Sequence, residues 1–220
     1  MAADKRHARR AFLSQLGTGA TAAGLTVLSD RPAAAQSAAP PEWHSRRHAE
    51  DDWLDRIPGA HRIVFDTTTP EGFDSALTFA NNYYRANQDG YGLKDADLAV
   101  VLVARHDSTP FAYTDAMWAK YGASLVQRSG FVDPSTSKPP AVNVRRARLD
   151  GLIERGAHFA VCQMATRRLA DVIARASRTN ADAVYKELTT NLVGNAHMVP
   201  AGIVAVNRAQ ERGYSFAHGG

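Results

Sequence analysis

Six consecutive apolar residues, Leu98-Ala-Val-Val-Leu-Val103, constrain this chain more than any other feature. A continuous, β-branched run of that kind suits a strand covered on both faces, in the middle of a parallel sheet. Parallel strands need long crossover connections, and helices usually make them.

The flanking sequence supplies both partners. Arg62-Ile-Val-Phe-Asp66 and His158-Phe-Ala-Val-Cys162 read as two more short buried strands. Thr69-Pro70 offers an N-cap and a proline at the first helical position. Phe73, Ala76, Leu77, Ala80, Tyr83 and Tyr84 then recur at helical spacing, with Gly90 shortly past the end. Thr109-Pro110 predicts a second helical stretch carrying Met117, Trp118 and Tyr121. Residues 129–144, with three prolines, read as a surface excursion. Leu149, Leu152 and Ile153 mark a short helix ending near Gly156. Ala165, Leu169, Val172, Ile173 and Ala176 form the face of another helix. Asn180 caps the next, Pro200 opens the last, and a terminal strand is expected near Tyr214–Ala217. Strand–helix alternation with right-handed crossovers makes this an α/β chain with one small, doubly wound, mainly parallel sheet.

The chain has 220 residues, 45% of them hydrophobic and 22% charged, which fits one ordinary domain with an extension. Its net charge of +4 is unevenly placed. Residues 1–35 hold five basic and two acidic side chains, leaving 21 basic and 20 acidic in the rest. A near-neutral body argues against nucleic acid as a partner, since that needs a concentrated basic face. No run is long and apolar enough for a stable membrane anchor.

The basic N-terminus reads as an address. Arg9-Arg10, one spacer, then Phe12-Leu13 resembles a twin-arginine export signal. A mildly apolar stretch from Leu16 to Leu28 follows, and Ala33 and Ala35 form the small-x-small pattern of a cleavage site. Residues 1–35 are therefore expected to be removed after passage through the twin-arginine translocase, leaving a periplasmic or otherwise exported protein. Residues 36–60 read as a linker with a short helix, and 61–220 as the α/β domain.

Open parallel sheets bind ligands beyond the carboxyl ends of their strands. Here those ends carry Asp66-Thr-Thr-Thr69, Arg105-His106-Asp107-Ser108-Thr109 and Cys162-Gln163-Met164. Cys162 is the only thiol, so no internal disulfide can form. It closes a strand and precedes a helix, a placement that favours the thiolate. His106 follows the central strand and is a candidate to move a proton there. Gln163, Arg167 and Thr109 are candidates to hold an anion or substrate, with Arg168 adding positive potential. His44 and His48 lack a third ligand, His197 reads as a local structural residue, and Arg145-Arg146-Ala-Arg148 reads as a solvated helix start. No phosphate-binding loop, dinucleotide fingerprint or nucleophile elbow is present. No metal or cofactor is called for.

Taken in order, His61-Arg-Ile-Val-Phe-Asp66, Gly156-Ala-His-Phe-Ala-Val-Cys162, Val199-Pro-Ala-Gly-Ile-Val-Ala-Val206 and Gln210-Glu-Arg-Gly-Tyr214 resemble the DsrE/DsrF-like family. Val103-Ala-Arg-His106 to Tyr121 resembles an exported subgroup of it. The likeness spans about His61 to Ala217. It implies a flavodoxin-like fold and a homo-oligomer. It also implies a sulfur relay in which Cys162 carries persulfide sulfur between a donor and an acceptor protein. Export, the segment at 129–144 and the Arg105-His106 pair depart from the cytoplasmic relay members. Two functions remain open: a sulfur carrier or sulfurtransferase-like protein using Cys162, and a non-catalytic oligomeric module. The module would bind a small anion, metal or redox cofactor at the strand edge.

Overall fold

The computed structural model describes residues 44–219. The expected export signal and the first part of the expected linker lie outside the described residues. Five strands build an all-parallel sheet: β1 (His61–Thr67), β2 (Leu98–Ala104), β3 (His158–Cys162), β4 (Ala196–Val199) and β5 (Ser215–His218). They lie in the order β4-β3-β2-β1-β5. The apolar run is β2, at the centre, and all seven of its residues are buried. It pairs with β1 from His61↔Leu98 to Thr67↔Ala104 and with β3 from Val101↔His158 to Ala104↔Val161.

Among the described residues there are seven α-helices: α1 (Trp53–Arg56), α2 (Pro70–Tyr91), α3 (Asp115–Leu125), α4 (Arg146–Glu154), α5 (Gln163–Ser177), α6 (Ala181–Thr190) and α7 (Gly202–Gln210). Thr69 caps α2 as the sequence predicts, its hydroxyl accepting from the Gly72 N–H at 2.9 Å. The helix runs past Gly90 and stops at Gly92, whose φ of 68° places it in the left-handed region glycine enters at no steric cost.

The order of the strands dictates where the helices go. The chain steps from β1 to β2, β3 and β4 in one direction, then returns across the sheet to β5. A right-handed crossover puts its helix on one face for one direction and on the opposite face for the return. Accordingly α2 to α6 pack with Phe65, Leu98, Val100, Leu102, Phe159 and Val161 on one face. Among the described residues only α7 and the segment around α1 pack with Val64, Ala99, Val101, Val103, Ala160 and Val199 on the other. The sheet is doubly wound, as expected, but thickly covered on one face and thinly on the other.

Four details differ from the sequence expectations. Thr109-Pro110 lies inside a 3-10 helix, His106–Ala112, and α3 starts later, with Thr114 at its N-cap. Strand β4 was not expected; its four residues are mostly half-buried and carry His197, so no apolar run announces it. The last helix opens at Gly202, two residues beyond Pro200. Residues 53–57 pack as core, with Leu54 and Ile57 almost fully buried beneath α7 and the sheet.

The arginine run also divides. Arg146 and Arg148 are solvated, but Arg145 is 4% exposed. Its guanidinium lies 3.8 Å from the centre of the Phe111 ring and 4.6 Å from that of Phe131, pairs with Asp74, and donates to the Pro70 carbonyl at 3.2 Å. Cation–π contact and the carboxylate together compensate its burial.

Candidate functional site

Residues alternate faces along a strand, so parity sorts the side chains at the carboxyl edge. Asp66 follows Val64, Arg105 follows Val103 and Cys162 follows Ala160, all on the α7 face. His218 on β5 is level with Asp66. Arg105 and Cys162 each lie one residue beyond the Ala104↔Val161 pair and so face each other across the ends of β2 and β3.

Arg105 organises this edge. Its Nε and one Nη each donate to an Asp66 carboxylate oxygen at 2.7 Å. Asp66 is almost fully buried. The paired hydrogen bonds raise the Arg105 pKa, burial opposes them, and the charges of Asp66 and Cys162 raise it further. His218 Nδ1 stands 3.8 Å from the same carboxylate. Gly202, the first residue of α7, lies directly over the Arg105 stem. A Cβ there would come within 2.6 Å of Arg105 Cβ, so the position has to be glycine for this approach.

Cys162 is the N-cap residue of α5, and its side chain makes no cap hydrogen bond. The residue is buried, 7% exposed. Its carbonyl accepts from the Thr166 hydroxyl at 3.0 Å, and Thr166 in turn accepts from the buried Tyr113 hydroxyl at 2.8 Å. The backbone around the sulfur is thus fixed from the helical face.

The other predicted residues are not gathered around the thiol. His106 leaves the sheet in a left-handed conformation, φ 54°. The neighbouring Asp107 N–H donates to the Thr68 carbonyl at 2.9 Å, and the buried Ser108 hydroxyl accepts from the Arg105 N–H at 3.0 Å. These contacts direct His106 into a separate cleft between α3 and α5, whose lining does not include Cys162. Burial first, then Arg105, Arg168 and Arg128, lower the His106 pKa, with Asp107 opposing. Arg167 donates to Asp182 at 2.8 Å and stacks 3.3 Å over the Tyr185 ring, so it serves the α5–α6 contact. Thr109 is fully buried and its hydroxyl donates to the Ala104 carbonyl at 3.4 Å. Gln163 is exposed at the first position of α5, beside the thiol in sequence.

Comparison with protein-family models and with curated proteins finds no match to this chain.

Two groups escaped the sequence reading. The first is the Asp66–Arg105 pair. Its signal was parity: Arg105 lies two residues after Val103 and therefore on the face Cys162 shares, whereas His106 does not. The second is a stack on the thin face. Trp53 lies 4.1 Å from His197, ring centre to ring centre, and His197 Nε2 is 2.9 Å from His158 Nδ1. Burial, then His158 and Arg56, push the His197 pKa down to about 4; burial lowers that of His158. Among the described residues no three histidine, cysteine or carboxylate side chains converge as metal ligands.

Proposed function

We propose that the mature protein is an exported sulfur carrier of the DsrE/DsrF-like kind, acting through Cys162 as a homo-oligomer. The observation that carries this reading is the seat of the single cysteine. It lies at a strand–helix junction on the carboxyl edge of the sheet, on the same face as an arginine whose guanidinium a buried carboxylate holds in place. The Cys162 thiolate attacks the outer sulfur of a persulfide donor. The donor's S–S bond breaks, a new S–S bond forms on Cys162, and the donor leaves as a thiolate. An acceptor thiolate then takes the same outer sulfur and regenerates Cys162. Arg105 is the cation on the same face of this strand edge.

One observation favours the alternative, a non-catalytic module binding a small anion, metal or redox cofactor at this edge: Cys162 is a buried residue. The two readings separate on one measurement. The purified protein is treated with a small-molecule persulfide and its peptides are weighed. A carrier gains one sulfur at Cys162, loses it to an added thiol, and is alkylated there by iodoacetamide in the native state. A Cys162 that takes neither sulfur nor iodoacetamide until denaturant is added replaces the carrier reading with the module.

A further inference from the structure

A cleft of about 560 Å³ opens between the 3-10 helix after β2, the end of α3 and the outer face of α5. That volume is in the range of small-molecule sites. Its walls are apolar: Leu125 from α3, and Leu169 and Val172 one turn apart on α5. Its rim is cationic. Arg128, Arg168 and Arg175 line it with His106, and among the described residues the only carboxylate in the lining is Asp107. Asp107 is engaged with Arg128 at 3.2 Å. Arg168 and Arg175 thus face the cleft with no second acid in its lining. Residue His106 is held at φ 54°, a conformation that non-glycine residues adopt at a cost and that concentrates at binding sites.

We propose that this cleft is a binding site for an amphipathic organic anion: an apolar ring or short chain lying against Leu125, Leu169 and Val172, with a carboxylate or sulfonate head on Arg168 and Arg175. An apolar body is needed because Pro110, Leu125, Leu169, Val172 and Ala176 line the cleft, with Ser124 and Gln127 its uncharged polar residues. A charged head is needed because two guanidinium forks stand at the mouth, and their planar donors match a carboxylate or sulfonate bidentately. The inorganic ion alone leaves the walls uncovered, and a neutral apolar molecule leaves the arginines unanswered. The site is independent of Cys162, which does not line it.

The test uses the full purified chain and three probes: anilinonaphthalene sulfonate, its neutral relative phenylnaphthylamine, and inorganic sulfate. The sulfonate dye is expected to bind saturably, one per chain, with fluorescence enhancement. The Arg168→Gln/Arg175→Gln double variant, changed only at exposed positions, should keep its circular dichroism and bind the dye at least about tenfold more weakly. The neutral relative should bind the unaltered protein at least about tenfold more weakly than the dye, and sulfate should compete only at far higher concentration. The Cys162→Ser variant should bind the dye unchanged, so the result stands whether or not Cys162 carries sulfur. Equal dye affinity in the double variant overturns the proposal, as does equal affinity for the neutral relative. A Val172→Glu variant that loses dye binding and also changes the light-scattering mass overturns it too, because the cleft is then a contact between copies.

Discussion

Among the described residues five helices cover one face of the sheet, whereas a single nine-residue helix and the short segment around α1 cover the other. The thick face is built from large side chains, including Trp118, Phe73, Phe111 and Phe159. Its thin counterpart sets Ala99, Ala160, Ala205 and Ala209 among valines such as Val64, Val101, Val103 and Val206. The thin face also carries Cys162, Arg105, Asp66 and the histidine stack. The packing of large rings and the residues proposed to handle sulfur are therefore divided between the faces, whereas the proposed anion cleft lies among the helices of the thick side. The division follows from topology, because three crossovers run one way and one runs back.

Adjacent residues on β3 give the largest test of that difference. Phe159 points to the thick face and Ala160 to the thin one. Phe159→Ala is expected to destabilise by about 3–5 kcal/mol, the usual cost of deleting a fully buried ring. Ala160→Leu is expected to cost about 1–3 kcal/mol by lifting α7, since overpacking rather than a void is the fault. Urea unfolding of both variants measures the pair. Equal losses would mean that the faces are equally rigid and that the division of labour is not real.

Much of this was legible from local pattern. The buried run of β2, the Thr69 cap and the Asn180 cap, which accepts from Ala183 N–H at 3.0 Å, need only neighbours in sequence. What was hidden depends on residues brought together from afar. Arg145 looks solvated in a run of arginines, yet Phe111 and Phe131 box it in. Arg105 looks like a loop residue until Asp66, 39 positions earlier, is set beside it. The edge strand β4 offers four residues and no apolar stripe. Within the candidate site the sequence gives the thiol and its strand–helix junction. It does not give the thiol's cationic neighbour, because pairing across two strand ends is a tertiary fact.

Gly202 sharpens the comparison at the chemical edge, with an intermediate effect. A valine there would drive its Cβ into the Arg105 stem at 2.6 Å, so α7 or Arg105 must move. The expected loss is about 1–3 kcal/mol. It should come with faster iodoacetamide labelling of Cys162, because the first turn of α7 is displaced from the strand ends. Unchanged labelling at that loss of stability would show that α7 does not control access to the thiol.

The smallest effect concerns the stack of Trp53, His197 and His158. The folded His197 is held down to about 4, against 6.5 as its ordinary value. The unfolded chain therefore binds more protons between those two limits. Stability should be complete above pH 6.5, decline as pH falls through this window, and lose nothing further from His197 below about 4. The ring is only half-buried, so solvent screening holds the contribution to about 1 kcal/mol, or roughly 2–4 °C in Tm. The direction is set by the geometry as well: the 2.9 Å contact between the two rings needs one nitrogen to donate and the other to accept. Protonating both rings leaves two donors and two like charges face to face, beside Arg56. His197→Gln keeps a hydrogen-bonding side chain but cannot titrate, so its Tm should fall less between pH 7 and pH 4 than that of the unaltered protein. Among the described residues the thick face places no such histidine pair in its core. If the two melting profiles keep the same slope, the acid sensitivity lies outside the stack, and the thin face is no more titratable than the thick one.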